Sequence, residues 1–184
     1  MPNQLETPKV EETVKKPVRV LTDSRPVSLQ LVEGGEGGKV RLRGEFARCG
    51  IATENKRVYP HRLWEREIGR LSKAMSGRQL FGECDHPDAA GSTKLARVSH
   101  LLTNLEIRDG LVIGEAEILD TERGRNLKAI LQAGGRIGIS SRGYGSTATN
   151  EKGEDVVQDD YRLVTFDFVA DPADQSAYPD VFYE

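Results

Sequence analysis

The stretch LARVSHLLTNLEIRDGLVIGEAEIL, Leu95–Leu119, decides the fold class. Two runs rich in leucine, isoleucine and valine, Leu95–Ile107 and Leu111–Leu119, flank Arg108-Asp109-Gly110. Asp-Gly between apolar runs is a strong signal for a tight hairpin, because both turn residues must take a left-handed backbone. The two runs therefore read as neighbouring antiparallel strands. Upstream, VSLQLVE (Val27–Glu33) and KVRLRGEFA (Lys39–Ala47) also read as strands, separated by the tract Gly34-Gly35-Glu36-Gly37-Gly38. Downstream, DVVQDDYRLVTFDFVAD (Asp155–Asp171) predicts one or two more.

Only two segments carry helical spacing. In YPHRLWEREIGRLSKAM, Pro60 suits a first helical turn, and Leu63, Trp64, Ile68, Leu71 and Met75 recur on one face up to Gly77. A second helix is predicted to start after Asp120 or Thr121 and to stop at Gly134-Gly135, with Leu127, Ile130 and Leu131 on its apolar face. Many strands and few helices, without a βαβ rhythm, predict an α+β domain with a mostly antiparallel sheet or barrel. Residues 1–26, with Pro2, Pro8, Pro17 and Pro26 among charges, predict a flexible leader before a single domain over 27–184.

At 184 residues the chain is long enough to bury a real core. Charged residues make up 30% with a net charge of −3, a balance that argues against a nucleic-acid reader or a binder of anionic membranes. No apolar run approaches the roughly 20 residues of a membrane span, and the N-terminus lacks a signal-peptide core. Two cysteines, Cys49 and Cys84, make no disulfide framework and point to a reducing, intracellular setting.

GRIGISSRGYG, Gly135–Gly145, sets Ser140 and Ser141 among glycines before Arg142. It reads either as the seat of a nucleophile or as a tight turn of small residues. A nucleophilic serine needs a base from elsewhere. Of the histidines, His61 opens a helix among basic neighbours, His100 alternates with Val98 and Leu102 as a core residue does, and His86 lies in the polar stretch GECDHPD, Gly82–Asp88. Glu83, Cys84, Asp85, His86 and Asp88 are all potential metal ligands, yet neighbours on a strand point to opposite faces and no HExxH or CxxC accompanies them. Cys84 reads as buried filler more readily than as a nucleophile. Asp167, between Phe166 and Phe168, is placed by alternation on the face opposite those rings. It reads as a solvent-facing strand residue or as the group that orients a histidine.

Four stretches in order resemble one family, the prohead (procapsid maturation) proteases of tailed bacteriophages, particularly the T-even-like branch. They are NKRVYPHRL (Asn55–Leu63), GECDHP (Gly82–Pro87), GISSRGYG (Gly138–Gly145) and TFDFVADPADQSAY (Thr165–Tyr178). The resemblance implies a β-barrel core flanked by helices, similar to herpesvirus assemblin, and a serine endopeptidase without cofactor or metal. It implies work inside the immature prohead in the host cytoplasm, on scaffold or core proteins and the major capsid protein, as a homo-oligomer. His86 matches the catalytic histidine, Ser140 the nucleophile and Asp167 the third member, with Glu83, Asp85 and His100 as rivals for that last place. Gly138 and Gly143 would let backbone approach the substrate, and Arg142 would supply charge at the oxyanion or form a structural ion pair. The family's preference for cutting after glutamate, with an aliphatic residue two positions earlier, matches Leu31-Val32-Glu33 and implies self-cleavage between Glu33 and Gly34. The alternatives are an inactive capsid-assembly component of the same fold, or a β-rich module whose Ser-Ser-Arg-Gly stretch recognises an anion.

Overall fold

A computed structural model describes residues 15–26, 30–33, 39–86 and 92–170. In chain order the elements are β1 (Lys15–Pro26), β2 (Gln30–Glu33), β3 (Val40–Arg48), β4 (Arg57–Val58), α1 (His61–Ser76), β5 (Phe81–Glu83), β6 (Val98–Arg108), β7 (Leu111–Ile118), α2 (Glu122–Gln132), β8 (Gly138–Thr149), β9 (Asp155–Val157) and β10 (Arg162–Val169).

The strands form two curled sheets that make a half-barrel. One has the order β2-β3-β7-β6-β5, antiparallel throughout. The other has the order β1-β8-β9-β4, with β10 also paired to β8; only β4 and β9 run parallel. The α+β class and the antiparallel bias are those predicted. The β6–β7 hairpin turns at Asp109 and Gly110, with φ of 51° and 77°, the left-handed pair that the Asp-Gly sequence favours. The sheets join where β5 meets β10: Thr165 Oγ1 donates to the Phe81 carbonyl at 2.8 Å, and Cys84 forms a parallel bridge with Phe168.

Helix α1 seals the core with Leu63, Trp64, Leu71 and Met75. Trp64 stacks on Tyr59 at 5.2 Å and on Phe166 at 5.9 Å, so one indole ties the helix to the second sheet. Ile68, predicted for the same face, is half-buried, and Glu67 is fully buried in its stead. Its carboxylate accepts from Arg70, Arg66 and the Leu163 N–H, which fastens α1 to β10. Helix α2 is capped by Thr121, whose hydroxyl accepts from the Gly124 N–H at 3.0 Å. It buries Leu127 and Leu131, while Ile130 is exposed, contrary to the sequence reading, because the packed stripe is narrower than the apolar one.

Two further expectations are corrected. Lys15–Pro26 is no leader but the strand β1, paired with β8 from Lys15↔Ala148 to Pro26↔Gly138. Its apolar alternation is too weak to announce a strand, since Val18 is exposed and only Leu21 is fully buried. Its pairing partner supplies what local pattern lacks. The Ser140-Ser141 stretch is not a turn either; it lies inside the 12-residue strand β8.

Candidate active site

β8 is paired along both edges, so Ser140 has Ser24 opposite it on β1 and Asp167 opposite it on β10. Directly opposed residues, and residues two apart on a strand, share a face of the sheet. Ser24, Ser140, Arg142 and Asp167 therefore lie together on one face, while Ser141, Asp23 and Phe166 lie on the other.

His86 reaches this face from the end of β5. The Asp85 N–H donates to the Phe168 carbonyl at 2.7 Å, and Asp85 takes a left-handed φ of 60°, which breaks the chain out of the strand just before the histidine. His86 Nε2 lies 2.7 Å from Ser140 Oγ, and Nδ1 lies 3.0 Å from Asp167 Oδ2. With Nδ1–H donating to the carboxylate, Nε2 is left to accept the serine proton.

Asp167 is fully buried and accepts from Arg142 Nε at 2.7 Å, Arg142 Nη2 at 3.1 Å and the Glu83 N–H at 3.0 Å. Burial by itself raises its pKa. The hydrogen bonds from His86 and Arg142, the Arg142 charge and the Glu83 amide together outweigh that and hold it below the usual carboxylate range. It is an ionised carboxylate whose charge is met on every side. Glu83, also fully buried, accepts from the Lys94 N–H at 2.7 Å and pairs with Arg97 Nε at 3.1 Å, so it ties the end of β5, just before His86, to the Lys94–Arg97 segment. Ser140 itself has no exposed surface, and the His86 side chain keeps 23%.

A serine hydroxyl, an imidazole and a buried carboxylate in line, each within hydrogen-bond reach of the next, form the constellation that activates a serine nucleophile. Comparison with known proteins agrees with that chemistry. Residues 17–182 match the family of prohead core protein serine proteases. The chain belongs to that family. The prohead core protein protease of enterobacteria phage T4 is 27% identical over 141 residues, covering 74% of this chain and 66% of the relative, just under two thirds of its length. The solved structure of the bacteriophage T4 capsid assembly protease, gp21, superposes with a TM-score of 0.75 at 23% identity, over 83% of this chain and 98% of that one. At that identity the likeness establishes the fold.

For this prohead protease family member, three of the residues singled out from sequence, His86, Ser140 and Asp167, converge. Asp167 is not solvent-facing: β10 is covered on both faces, by the core over Phe166 and Phe168 and by the His86 loop over Asp167. Arg142 gives Nε and Nη2 to Asp167, with Nη2 also 3.2 Å from Thr93 Oγ1, so these two nitrogens stand behind the carboxylate, the ion-pair role that the sequence left open beside an oxyanion role. Gly138 lies two residues before Ser140 on the same face. Gly143 faces the other way, where a Cβ would fall 2.6 Å from the Arg162 carbonyl and the Tyr161 ring; close packing, not substrate access, requires glycine there.

Of the rivals for the third place, Asp85 is exposed and the other two have other work. Glu83 serves the loop. His100 is fully buried, Nε2 lying 2.9 Å from the Phe166 carbonyl and Nδ1 2.8 Å from Ser99 Oγ, and burial pushes its pKa down to about 4. It is a neutral structural histidine, and its ring is the reason Gly82 precedes Glu83: a Cβ at Gly82 would sit 2.1 Å from His100 Nε2. Cys84 is partly buried, which pushes its thiol pKa up and leaves it unreactive. His61 is exposed, 3.4 Å from Glu65. Among the described residues no cluster of histidine, cysteine and carboxylates could hold a metal ion, and no helix is long and apolar enough to cross a membrane. Glu33 ends β2 opposite Val40; Gly34, Pro87 and Asp88 lie outside the described residues.

Sequence reading missed Ser24 and Asp23. Asp23 is buried on the far face of β1 and accepts from Tyr59 (2.6 Å), Thr53 (2.8 Å), Arg57 (2.9 Å) and Asn55 (3.0 Å). The available signal was the Asn55-x-Arg57-x-Tyr59 box, whose three polar side chains all converge on this one carboxylate.

Proposed function

We propose that the chain is a serine endopeptidase of prohead maturation, with Ser140 as nucleophile, His86 as general base and acid, and Asp167 as the group that orients and stabilises the imidazole. The observation that carries this is the Ser140–His86–Asp167 line at 2.7 and 3.0 Å. Ser140 Oγ adds to the scissile carbonyl while its proton passes to His86 Nε2. The imidazolium, paired with Asp167, returns the proton to the leaving amine, and water completes hydrolysis of the ester by the reverse sequence. Arg142 keeps Asp167 ionised and fixed.

The substrates proposed are the scaffold or core proteins and the capsid protein, met inside the immature prohead in the host cytoplasm by a homo-oligomer of this chain. Cleavage falls after glutamate with an aliphatic residue two positions earlier. Self-cleavage between Glu33 and Gly34 belongs to the same proposal. Because β1 is a sheet strand, such a cut leaves a nicked molecule held by the β1–β8 and β2–β3 pairings instead of shedding a loose leader.

The test is cleavage of a peptide with an aliphatic-x-Glu-small sequence by wild type, Ser140→Ala and Ser141→Ala. Activity lost with Ser140→Ala and kept with Ser141→Ala is expected, since Ser141 lines a cavity of about 210 Å³ on the opposite face, with Asp23, Tyr59 and Trp64. Loss only with Ser141→Ala would put the nucleophile one residue away. A wild type silent on every such peptide, and on its own Glu33–Gly34 bond, would favour the inactive assembly component.

A further inference from the structure

Ser24 is the one described side chain, besides His86, that hydrogen-bonds the Ser140 hydroxyl. Its Oγ–H donates to Ser140 Oγ at 3.1 Å, from the position directly across the β1–β8 ladder. We propose that Ser24 is a catalytic residue of the endopeptidase, a hydrogen-bond donor to the reacting oxygens; this rests on the reading of Ser140 as nucleophile.

Three features carry it. The first is geometry. Ser140 Oγ accepts from Ser24 on one side and faces His86 Nε2 on the other, so its own proton is left pointing at the base. When Oγ bonds to the carbonyl carbon, the oxyanion forms on the other oxygen of that same carbon, two bonds from Oγ. A hydroxyl 3.1 Å from Oγ stands beside the place where that oxygen develops, and by rotating about its C–O bond it can turn its proton from Oγ toward the oxyanion. Ser140 loses its proton to His86, the carbonyl π pair moves to oxygen, and Ser24 keeps its own proton throughout.

The second is the want of an obvious alternative among the described residues. Arg142 Nε and Nη2 are turned to Asp167 and Thr93. Ser140 is the third residue of β8, with ladders on both edges, so the neighbouring amides are directed sideways into pairing and not up toward a substrate on the Ser140 face.

The third is that the fold holds this serine in place with unusual care. A slip of β1 by one residue would turn Ser24 to the opposite face. Asp23 prevents it: Thr53, Asn55, Arg57 and Tyr59 all bond its carboxylate, and Asn55 and Arg57 also donate to the Thr22 carbonyl at 3.3 and 3.0 Å. The whole Thr53–Tyr59 segment thus pins the register of β1 immediately beside Ser24. This gives the Asn55-x-Arg57-x-Tyr59 box a purpose that lies on the far side of the sheet from the chemistry.

The experiment compares full-length wild type, Ser140→Ala, Ser24→Ala, Ser24→Thr and Ser24→Val on one glutamate-containing peptide, with melting temperatures and inhibition by a peptide boronate, which forms a tetrahedral adduct on Ser140. Ser24→Ala should lower kcat by about 10²–10³-fold, the usual loss of one oxyanion donor, with KM changed less than about threefold. Thr and Val have the same shape, so their ratio isolates the hydroxyl even if Ala weakens folding. Thr should exceed Val by at least tenfold in kcat, and boronate affinity should fall in parallel. Equal kcat for Thr and Val, or a Ser24→Ala enzyme within threefold of wild type, overturns the role of Ser24 while leaving Ser140 intact. If Ser140→Ala retains activity, the nucleophile reading itself fails, and the inference falls with it.

Discussion

The sharpest test of the site is to remove the Asp167 charge and then the charge behind it. Asp167→Asn removes the carboxylate that the Arg142 guanidinium, 1% exposed, holds at 2.7 Å; the Glu83 carboxylate stands farther off, at 3.9 Å. Stripping one member of a buried pair costs about 3–5 kcal/mol, and the residual Glu83 contact puts this case near 3. For a domain of this size each kcal/mol lowers the melting temperature by about 2–4 °C, so a drop of roughly 6–12 °C is expected. Arg142→Met should cost a similar amount by leaving Asp167 buried with only His86 and the Glu83 amide. The double variant removes both charges together, and its stability should return to within about 1 kcal/mol of wild type, a coupling of about 5 kcal/mol. Activity should not return. Without a carboxylate on Nδ1 the imidazole loses its tautomer and its counter-charge, and kcat should fall about 10⁴-fold in both Asp167→Asn and the double variant. Urea denaturation at pH 7 and peptide cleavage read the two effects separately. Additive destabilisation near 6 kcal/mol in the double variant would refute the ion-pair reasoning, and a kcat within tenfold of wild type would remove Asp167 from the mechanism.

His100 makes acid stability a second readout. Its pKa is lowered from 6.5 to about 4, so below pH 6.5 the unfolded chain takes up a proton that the folded one refuses. Stability should fall by something on the order of 3 kcal/mol between pH 6.5 and 4 and then level off for this group. Asp167 has a lowered pKa of the carboxylate kind; its contribution is present above about pH 4 and lost only below it. Urea midpoints across that range should therefore slope in wild type and flatten in His100→Gln; an unchanged slope would clear His100 of the effect. Gly82→Ala should destabilise by about 1–3 kcal/mol through overpacking on the His100 ring and the Phe166 carbonyl, 2.3 Å from the added Cβ. The shift also moves the Glu83 amide off Asp167, so activity should fall further than stability explains. Wild-type kcat in a folded Gly82→Ala protein would show that the close packing is not tied to the site.

The sequence by itself determined the elements whose signals are local. Asp109-Gly110 set a hairpin because few other pairs take two left-handed conformations cheaply, and Leu63, Trp64, Leu71 and Met75 set α1 because their spacing matches the helix period. Ordered motifs likewise carried His86, Ser140 and Asp167, through resemblance more than through chemistry, since each alone fits a bland role. What only the tertiary structure decided was everything that depends on register between distant strands. Lys15–Pro26 has too little apolar alternation to announce a strand, and becomes one because β8 offers an edge and Asp23 meets the Thr53–Tyr59 segment. Asp167 looks solvent-facing by alternation, and is buried because the β5 loop closes over it. Arg142 and Ser24 take their places from who stands opposite whom across β8. Local propensity is written in neighbours along the chain; the pairing that sets Ser24 beside Ser140, and Asp167 beside both Ser140 and Arg142, is a choice among whole-sheet arrangements, and only the folded chain makes it.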